Sequence, residues 1–249
     1  MRKTIIKLIC ALLALAMLSP CLSGCYLLWP YYTTETVTDV SAELINEAST
    51  RCARGIIKLD VTFRSGLWDD GVSYTSSAVI VGYDGDLYYA LTCAHCVTIE
   101  EGFLYRTIKA IDAYGAEYTA TPIVIDESLD LAYISFKAQY VLDEPEVIEL
   151  ADSSDVAGET VISIGNPHGL SQVVTAGEML GYKQTELVDF LVLHHTAIIG
   201  GGSSGGALFN SDLELIGINF AGLDGQEYSN GYAIPIEKVR EFLTNNDLM

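Results

Sequence analysis

The chain has 249 residues, of which 50% are hydrophobic, and its formal net charge is −20. This length and apolar content suffice for one sizeable core or for two small barrels that share an interface. The excess of acid argues against nucleic acid as a partner, because affinity for phosphate depends on Lys and Arg.

The first residues have the features of an export signal. "MRKTIIK" is basic, and "LICALLALAML" is apolar but too short to span a bilayer comfortably. The following "LSGC" resembles a bacterial lipobox, which predicts a lipoprotein signal peptide at residues 1–24 and a lipid on Cys25. Acyl chains on Cys25 would anchor the exported chain to a bacterial membrane, on the cell surface or the periplasmic face. An ordinary signal peptide that ends beside a cysteine is the alternative.

Residues 25–51 are rich in Thr, Glu and Ser, and we expect a tether that ends in a short helix at "SAELINEA". From Gly55 onward, short β-rich runs such as "GIIKLDVTF" and "SSAVIVGY" alternate with turn signals. About a dozen such runs indicate an all-β barrel or sandwich. Only "PIEKVREFLTNN" is typical of a helix. We therefore place the folded domain at residues 52–249.

The stretch "GGGSSGGALFN" holds two adjacent serines among glycines. Ser203 is central to a G-x-S-x-G frame, which is the nucleophile elbow of α/β-hydrolases, whereas Ser204 is central to a G-x-S-G-G frame. An α/β-hydrolase needs a histidine after its nucleophile, and every histidine of the chain precedes Ser203. The order of the residues therefore favours Ser204 and argues against an esterase of that fold.

The Ser204 frame requires a histidine and then an aspartate earlier in the chain. "LTCAHCV" supplies His95 at the end of an apolar strand, and "DESLDLAYISF" supplies Asp130 at the head of another. Asp126 is the nearest rival to Asp130, but no Leu-Ala strand follows it. The remaining histidines, His168, His194 and His195, are interpreted as a loop residue and two structural strand residues.

These three motifs, in this order, resemble the trypsin-like serine proteases and specifically their HtrA/Deg branch. "SIGNPHGLSQVVTAGEM", "LIGINFAG" and "GYAIPIEKV" resemble further motifs of that branch, so the similarity covers roughly residues 52–245. The resemblance implies two packed six-stranded antiparallel Greek-key β-barrels with a C-terminal helix. It also implies a serine endopeptidase that cleaves unfolded or exposed polypeptide segments.

The resemblance assigns a role to each residue of the triad. Ser204 would attack the peptide carbonyl, His95 would take its proton, and Asp130 would orient the imidazole. The backbone N–H groups of Gly202 and Ser204 would form the oxyanion hole, which explains a glycine at position 202.

The resemblance also implies a substrate site without a charged residue. The base of the specificity pocket would be Ile198, with Ile199 beside it, and would suit small or medium aliphatic side chains. The segment "NFAG", formed by Asn219, Phe220, Ala221 and Gly222, would run antiparallel to the substrate and bind its backbone.

Cys52, Cys93 and Cys96 remain once Cys25 is assigned to lipid, and sequence cannot give their pairing. A bridge from Cys52 to Cys93 or Cys96 is one option. The motif Cys93-Ala-His-Cys96 also suggests a zinc site or a redox site. Zinc needs about four ligands and no second cluster lies nearby, and a thioredoxin-like motif would come with a βαβ pattern that is missing here, so we predict no metal and no cofactor.

The chain ends soon after "AIP", which predicts that the PDZ domains of many HtrA proteins are missing. A catalytically silent trypsin-fold module that binds or senses at the cell envelope is the alternative function. Assembly into a homo-oligomer is left open.

Overall fold

A computed structural model describes residues 42–138, 146–222 and 231–248. The predicted signal peptide, Cys25 and most of the predicted tether lie outside these ranges. Within them, the strands form two closed antiparallel barrels of six strands each, and a helix follows the second barrel. The predicted double-barrel fold is therefore confirmed.

The first barrel follows the order β1-β2-β3-β6-β5-β4. Its strands are β1 (Ile56–Arg64), β2 (Val72–Asp84), β3 (Leu87–Thr92), β4 (Tyr105–Ile111), β5 (Glu117–Asp126) and β6 (Leu131–Lys137). β1 illustrates the sequence rule, because Ile57, Leu59, Val61 and Phe63 are buried while the residues between them are partly exposed. Successive side chains of a strand point to opposite faces, so this alternation fills the barrel and leaves its outside polar.

The second barrel follows the order β10-β11-β12-β9-β8-β7. Its strands are β7 (Thr160–Gly165), β8 (Val173–Gln184), β9 (Leu191–His195), β10 (Ala207–Phe209), β11 (Leu215–Gly222) and β12 (Gly231–Pro235). Within the described residues, three α-helices accompany the strands. Helix α1 (Ala42–Glu47) precedes the first barrel, the helical turn α2 (Ala94–Val97) follows β3, and helix α3 (Ile236–Asn245) follows β12 directly. The buried residues of α3 recur at helical spacing, so one face of the helix closes the barrel.

The segment before β1 packs against the domain. Helix α1 continues into a π-helical turn at Ala48–Cys52 and a 3₁₀ turn at Ala53–Gly55. Ala48 and Cys52 are buried in the main hydrophobic cluster. This segment is therefore anchored to the core through Ala48 and Cys52.

A single hydrophobic cluster extends from one barrel into the other. It contains Val79 and Leu131 of the first barrel together with Ile164 and Phe209 of the second. Because this apolar core is shared, the loops at the junction of the barrels rest on a fixed base. None of the helices in the described ranges has the length and apolar character needed to cross a membrane.

A buried polar network lies inside the second barrel, around Asn219 of β11. The Nδ2 group of Asn219 donates to Ser163 Oγ and to the Ala207 carbonyl, both at 2.9 Å. Its Oδ1 must then accept, so His195 Nε2 carries a proton and donates to it at 3.2 Å. His195 and Asn219 are both fully buried. Burial lowers the pKa of His195 to about 4, and the hydrogen bond to Asn219 opposes this shift only in part.

The buried, neutral His195 makes stability depend on pH. An unfolded chain binds a proton at this histidine near pH 6.5, whereas the folded chain does so only near pH 4. The unfolded state therefore gains protons first as the pH falls, and the folded state loses stability. We expect His195 to account for about 2 kcal/mol of the unfolding free energy lost between about pH 7 and pH 5.

Urea unfolding at several pH values, on the wild type and on His195→Gln, measures this difference. The wild type should lose stability more steeply with acid than His195→Gln does. His194→Gln is the matched control, because it removes the neighbouring, only half-buried histidine and leaves His195 in place. Equal slopes for the wild type and His195→Gln would contradict the assignment.

Candidate active site

His95 and Asp130 meet at one end of the first barrel. His95 lies on α2, directly after β3, and Asp130 directly precedes β6, which pairs with β3. His95 Nδ1 lies 2.8 Å from Asp130 Oδ2, and the backbone N–H of His95 donates to Asp130 Oδ1 at 2.9 Å. The two hydrogen bonds to this carboxylate fix both the backbone and the ring of His95. Because a carboxylate can only accept, the ring proton lies on Nδ1.

The backbone of Asp130 is in the left-handed region, with φ of 52°. Aspartate tolerates this conformation better than most residues do, and such residues concentrate at functional sites. Its carbonyl also accepts a hydrogen bond from the N–H of Ala94 at 3.1 Å. The rival Asp126 instead accepts hydrogen bonds from Ser128 and Leu129 and stabilises the turn between β5 and β6.

The environment of His95 changes its affinity for a proton. Burial alone would lower its pKa, but the hydrogen bonds with Asp130 and Cys96 outweigh this effect and raise the pKa to about 10. The side chain of His95 is still 49% exposed, whereas that of Asp130 is 14% exposed. The site therefore stabilises a positively charged imidazole that is accessible from solvent.

The two serines of the glycine-rich stretch have different environments. Ser203 is buried, and its Oγ accepts a hydrogen bond from the N–H of Gly200 at 3.2 Å. Ser204 is only partly buried, and its Oγ donates to the Phe220 carbonyl at 3.2 Å. Within the described residues this carbonyl is the hydrogen-bond partner of the Ser204 hydroxyl, and His95 is not. Ser203 thus stabilises the loop, and Ser204 is the more accessible of the two serines.

The loop around Ser204 is held from both sides. Gly202 has φ of 101°, and the preceding carbonyl of Gly201 accepts a hydrogen bond from the N–H of His168 at 2.6 Å. The N–H groups of Ser203, Gly205 and Gly206 donate to backbone carbonyls. Among the described residues, no acceptor is found for the N–H groups of Gly202 and Ser204. These are the two amides that the sequence predicts for the oxyanion hole.

Ser77 of β2, which the sequence does not single out, is fully buried between the barrels. Its N–H donates to the Ser204 carbonyl at 2.8 Å, and its Oγ donates to the Gly202 carbonyl at 2.8 Å. The N–H of Asn166 in turn donates to Ser77 Oγ at 2.9 Å. Ser77 therefore ties the loop of the second barrel to a strand of the first.

The predicted substrate strand divides into a buried and an accessible part. Asn219 belongs to the buried part: its side chain is hydrogen-bonded within the second barrel, its N–H donates to the Gly206 carbonyl and its carbonyl accepts from the Gly205 N–H. Both its side chain and its backbone are thus committed to the loop and the core. Phe220 is also buried and presents only its carbonyl, whereas Ala221 is partly exposed and Gly222 is exposed.

The predicted pocket residues lie at the surface. Ile198 is 39% exposed and Ile199 is partly buried. Thr175 Oγ1 donates to the Ile198 carbonyl at 2.8 Å, which fixes this part of the loop. The structure thus leaves Ile198, Ile199, Ala221 and Gly222 accessible among the six predicted substrate residues.

The three cysteines of the described residues are free thiols, so the optional bridge to Cys52 is not formed. Cys93 and Cys96 flank His95, and the ligand atoms of these three residues lie within 4.8 Å of one another. Cys93 Sγ is 3.4 Å from the Asn219 carbonyl, and Cys96 Sγ is 3.9 Å from the Ser204 carbonyl. We assign no metal to this group, because it offers three donors where structural zinc sites use four.

A comparison with protein families defines the class of the chain. The family model described as "Trypsin-like peptidase domain" matches residues 76–218, a range that includes His95, Asp130 and Ser204. This match extends over more than half of the chain.

Relatives and solved structures narrow the class. The chain is 34% identical over 206 residues to "Serine protease HTR4" of Rattus norvegicus, with 78% of this chain and 39% of the relative covered. It is 33% identical over 183 residues to "Serine protease Do-like HtrA" of Bacillus subtilis, with 69% and 39% covered. The structure titled "HtrA-type protease AlgW with decapeptide" superposes with a TM-score of 0.66 at 26% identity, covering 81% of this chain and 66% of that one.

The chain therefore belongs to the trypsin-like peptidase family, and within it the chain is similar to serine proteases of the HtrA type. It spans about two fifths of the length of the curated relatives described here.

The packing around Gly205 predicts that a methyl group at this position strongly destabilises the folded chain. Gly205 has φ of 84°, and a Cβ there would overlap the Ser77 carbonyl oxygen and Thr92 Oγ1. We expect Gly205→Ala to lower the unfolding free energy by at least about 3 kcal/mol, because neither the backbone nor the loop has room to move.

Denaturant unfolding of the purified variants measures this loss. Gly201→Ala is the matched control, since a Cβ at Gly201 meets no atom within 4 Å, and it should change stability by less than about 0.5 kcal/mol. Similar stability of the two variants would show that the loop does not pack on Ser77 as described.

Proposed function

We propose that the chain is a serine endopeptidase in which Ser204 is the nucleophile, His95 the general base and Asp130 the residue that orients it. One observation carries this proposal. The imidazole that Asp130 holds lies on a helical turn that packs against the nucleophile loop, with Cys96 Sγ 3.9 Å from the Ser204 carbonyl. The two halves of the proposed machinery, one from each barrel, are thus adjacent.

The proposed reaction follows from the roles of these atoms. A rotation about χ1 takes the Ser204 hydroxyl from the Phe220 carbonyl toward the substrate carbonyl carbon. His95 Nε2 takes the hydroxyl proton, and the Asp130 carboxylate stabilises the imidazolium that forms. The amides of Gly202 and Ser204 donate to the developing oxyanion, a contribution of about 3 kcal/mol or more for each donor. His95 then gives the proton to the leaving amine, and water hydrolyses the acyl-enzyme.

The proposed substrate is an extended or unfolded polypeptide. Ala221 and Gly222 lie at the accessible end of β11, where an extended peptide can pair with the strand. Ile198 and Ile199 provide an apolar surface without a charge, so we propose small or medium aliphatic residues before the scissile bond. The AlgW structure titled with a decapeptide supports a peptide-binding cleft in this fold.

Turnover of casein and of short peptides, with the full chain in detergent, tests the proposal. Ser204→Ala should abolish turnover and labelling by a fluorophosphonate, whereas Ser203→Ala should keep a measurable fraction of both because Ser203 only supports the loop. Peptides with Val or Ala before the scissile bond should be cleaved faster than those with Lys or Arg. Persistent cleavage by Ser204→Ala would refute the nucleophile, and faster cleavage after Lys would refute the pocket.

A catalytically silent binding module is the second candidate. It is favoured by the hydrogen bond from Ser204 Oγ to Phe220 and by the raised pKa of His95, both of which oppose proton transfer at rest. Fluorophosphonate labelling separates the two candidates without a known substrate, since a silent module would not be labelled at Ser204.

We further propose that the protein acts outside the cytoplasm, held to a membrane by a lipid on Cys25. Support comes from the basic and apolar N-terminal runs followed by "LSGC". In a bacterial host grown with a radiolabelled fatty acid, the wild type should incorporate label and sediment with membranes. Cys25→Ser should do neither, and Cys52→Ser serves as the control. Label that persists in Cys25→Ser would refute the anchor.

A further inference from the structure

We propose that Cys93 and Cys96 form a reversible disulfide beside His95, and that this bridge switches the protein to the form in which His95 can act as a base. The bridge itself is independent of catalysis, whereas its consequence for activity rests on the proposed function.

The two cysteines are placed for a bridge. Cys93 precedes the first residue of α2 and Cys96 lies in the same turn, where its N–H donates to the Cys93 carbonyl at 3.2 Å. Residues three apart on one turn lie on the same side of it, and their sulfurs are within 4.8 Å of each other. Both are free thiols.

The two sulfurs differ in access. Cys96 is partly exposed, whereas Cys93 is fully buried. The hydrogen bond from the Cys93 thiol lowers the pKa of Cys96, helped by His95, while burial raises the pKa of Cys93. Cys96 is therefore the thiol that meets an oxidant as a thiolate, and Cys93 is the thiol that completes the bridge.

A low-molecular-weight disulfide is the oxidant that we propose. The Cys96 thiolate attacks one of its sulfurs, forms a mixed disulfide and expels one thiolate. Cys93 then loses its proton and attacks Cys96 Sγ, which expels the second thiolate. The protein loses two protons and two electrons, and the small disulfide takes them up and becomes two thiols. Export into an oxidising compartment would supply such a reagent.

The bridge removes a negative charge from the side of His95. The titratable groups that face His95 within the described residues are Asp130, at the start of β6, and Cys96 and Cys93 of its own turn. A thiolate at Cys96 helps to keep the imidazole protonated, and a protonated imidazole cannot accept the Ser204 proton. A neutral disulfide leaves Asp130 as the only one of these groups that carries charge, so the imidazole is free to act as a base at lower pH.

Thiol mapping tests the bridge without any activity. The full-length Ser204→Ala chain is equilibrated with mixtures of reduced and oxidised glutathione, quenched with acid, unfolded in denaturant so that the buried thiols can react, alkylated and mapped by mass spectrometry. We expect Cys93 and Cys96 to become resistant to alkylation together and to be recovered as one disulfide-linked peptide. Cys52 should be alkylated under all of these conditions. A glutathione adduct that persists on Cys96, or a bridge to Cys52, would overturn the proposal.

NMR titration of the His95 ring in the same Ser204→Ala chain tests the consequence. Its signals are assigned by comparison with His95→Gln. We expect the titration midpoint to fall by about one pH unit or more on oxidation. Cys93→Ser should abolish the response to glutathione, whereas Cys52→Ala should keep it. An equal midpoint in both redox states would overturn the switch even if the bridge forms.

The activity measurement then separates this proposal from the proposed function. In wild type and Cys52→Ala, the acid limb of the fluorophosphonate labelling rate should move to lower pH on oxidation. A chain that shows the bridge and the shift of His95 but is never labelled would support the bridge and refute the peptidase.

Discussion

The hydrogen bonds of Ser77 are the constraint on which the site depends. Ser77 belongs to the first barrel, yet its N–H and Oγ bind the carbonyls of Ser204 and Gly202 in the second. Its own carbonyl accepts a hydrogen bond from Thr92 Oγ1 at 2.7 Å, just before the turn that carries His95. All of these groups lie in or near the buried junction, where an unpaired polar atom costs about 1–3 kcal/mol. Displacing the loop that carries Ser204 would thus break several hydrogen bonds at once.

The hydrogen bonds of this loop also determine how it presents its amides. The N–H of Gly202 shares a peptide plane with the Gly201 carbonyl, which His168 N–H binds, and the N–H of Ser204 shares one with the Ser203 carbonyl, which Gly206 N–H binds. Ser77 binds the carbonyls of the neighbouring peptide planes, those of Gly202 and Ser204. The N–H groups of Gly202 and Ser204 are then fixed in orientation before any substrate arrives. Donors that need no reorganisation are the most effective in stabilising a developing charge. Bonds within the second barrel thus orient the two amides, and the bonds from Ser77 hold the rest of the loop in place for the proposed chemistry.

The fold could be predicted from the sequence because it depends on local pattern, and the candidate site residues could be proposed from the order of their motifs along the chain. Alternation predicts the strands, and the absence of a histidine after Ser203 separates Ser204 from its neighbour. Ser77 and the inward side chain of Asn219 could not be predicted. Ser77 is 125 residues from Gly202, and Asn219 is 24 residues from His195. Nothing local marks a serine or an asparagine that will be bonded across such distances.

Strand β11 links the core to the proposed substrate cleft. Asn219 is held inside the barrel by its side chain, and the register of β11 against β12 shifts between Asn219 and Ala221. A bulge changes the direction of the following residues, so Phe220 turns its ring inward and its carbonyl toward Ser204. Ala221 and Gly222 then leave the core for the surface. Since the strand is fixed by a buried network on one side, the position of its outer end relative to Ser204 is set by the core, and the selectivity of the proposed cleft falls to Ile198 and Ile199.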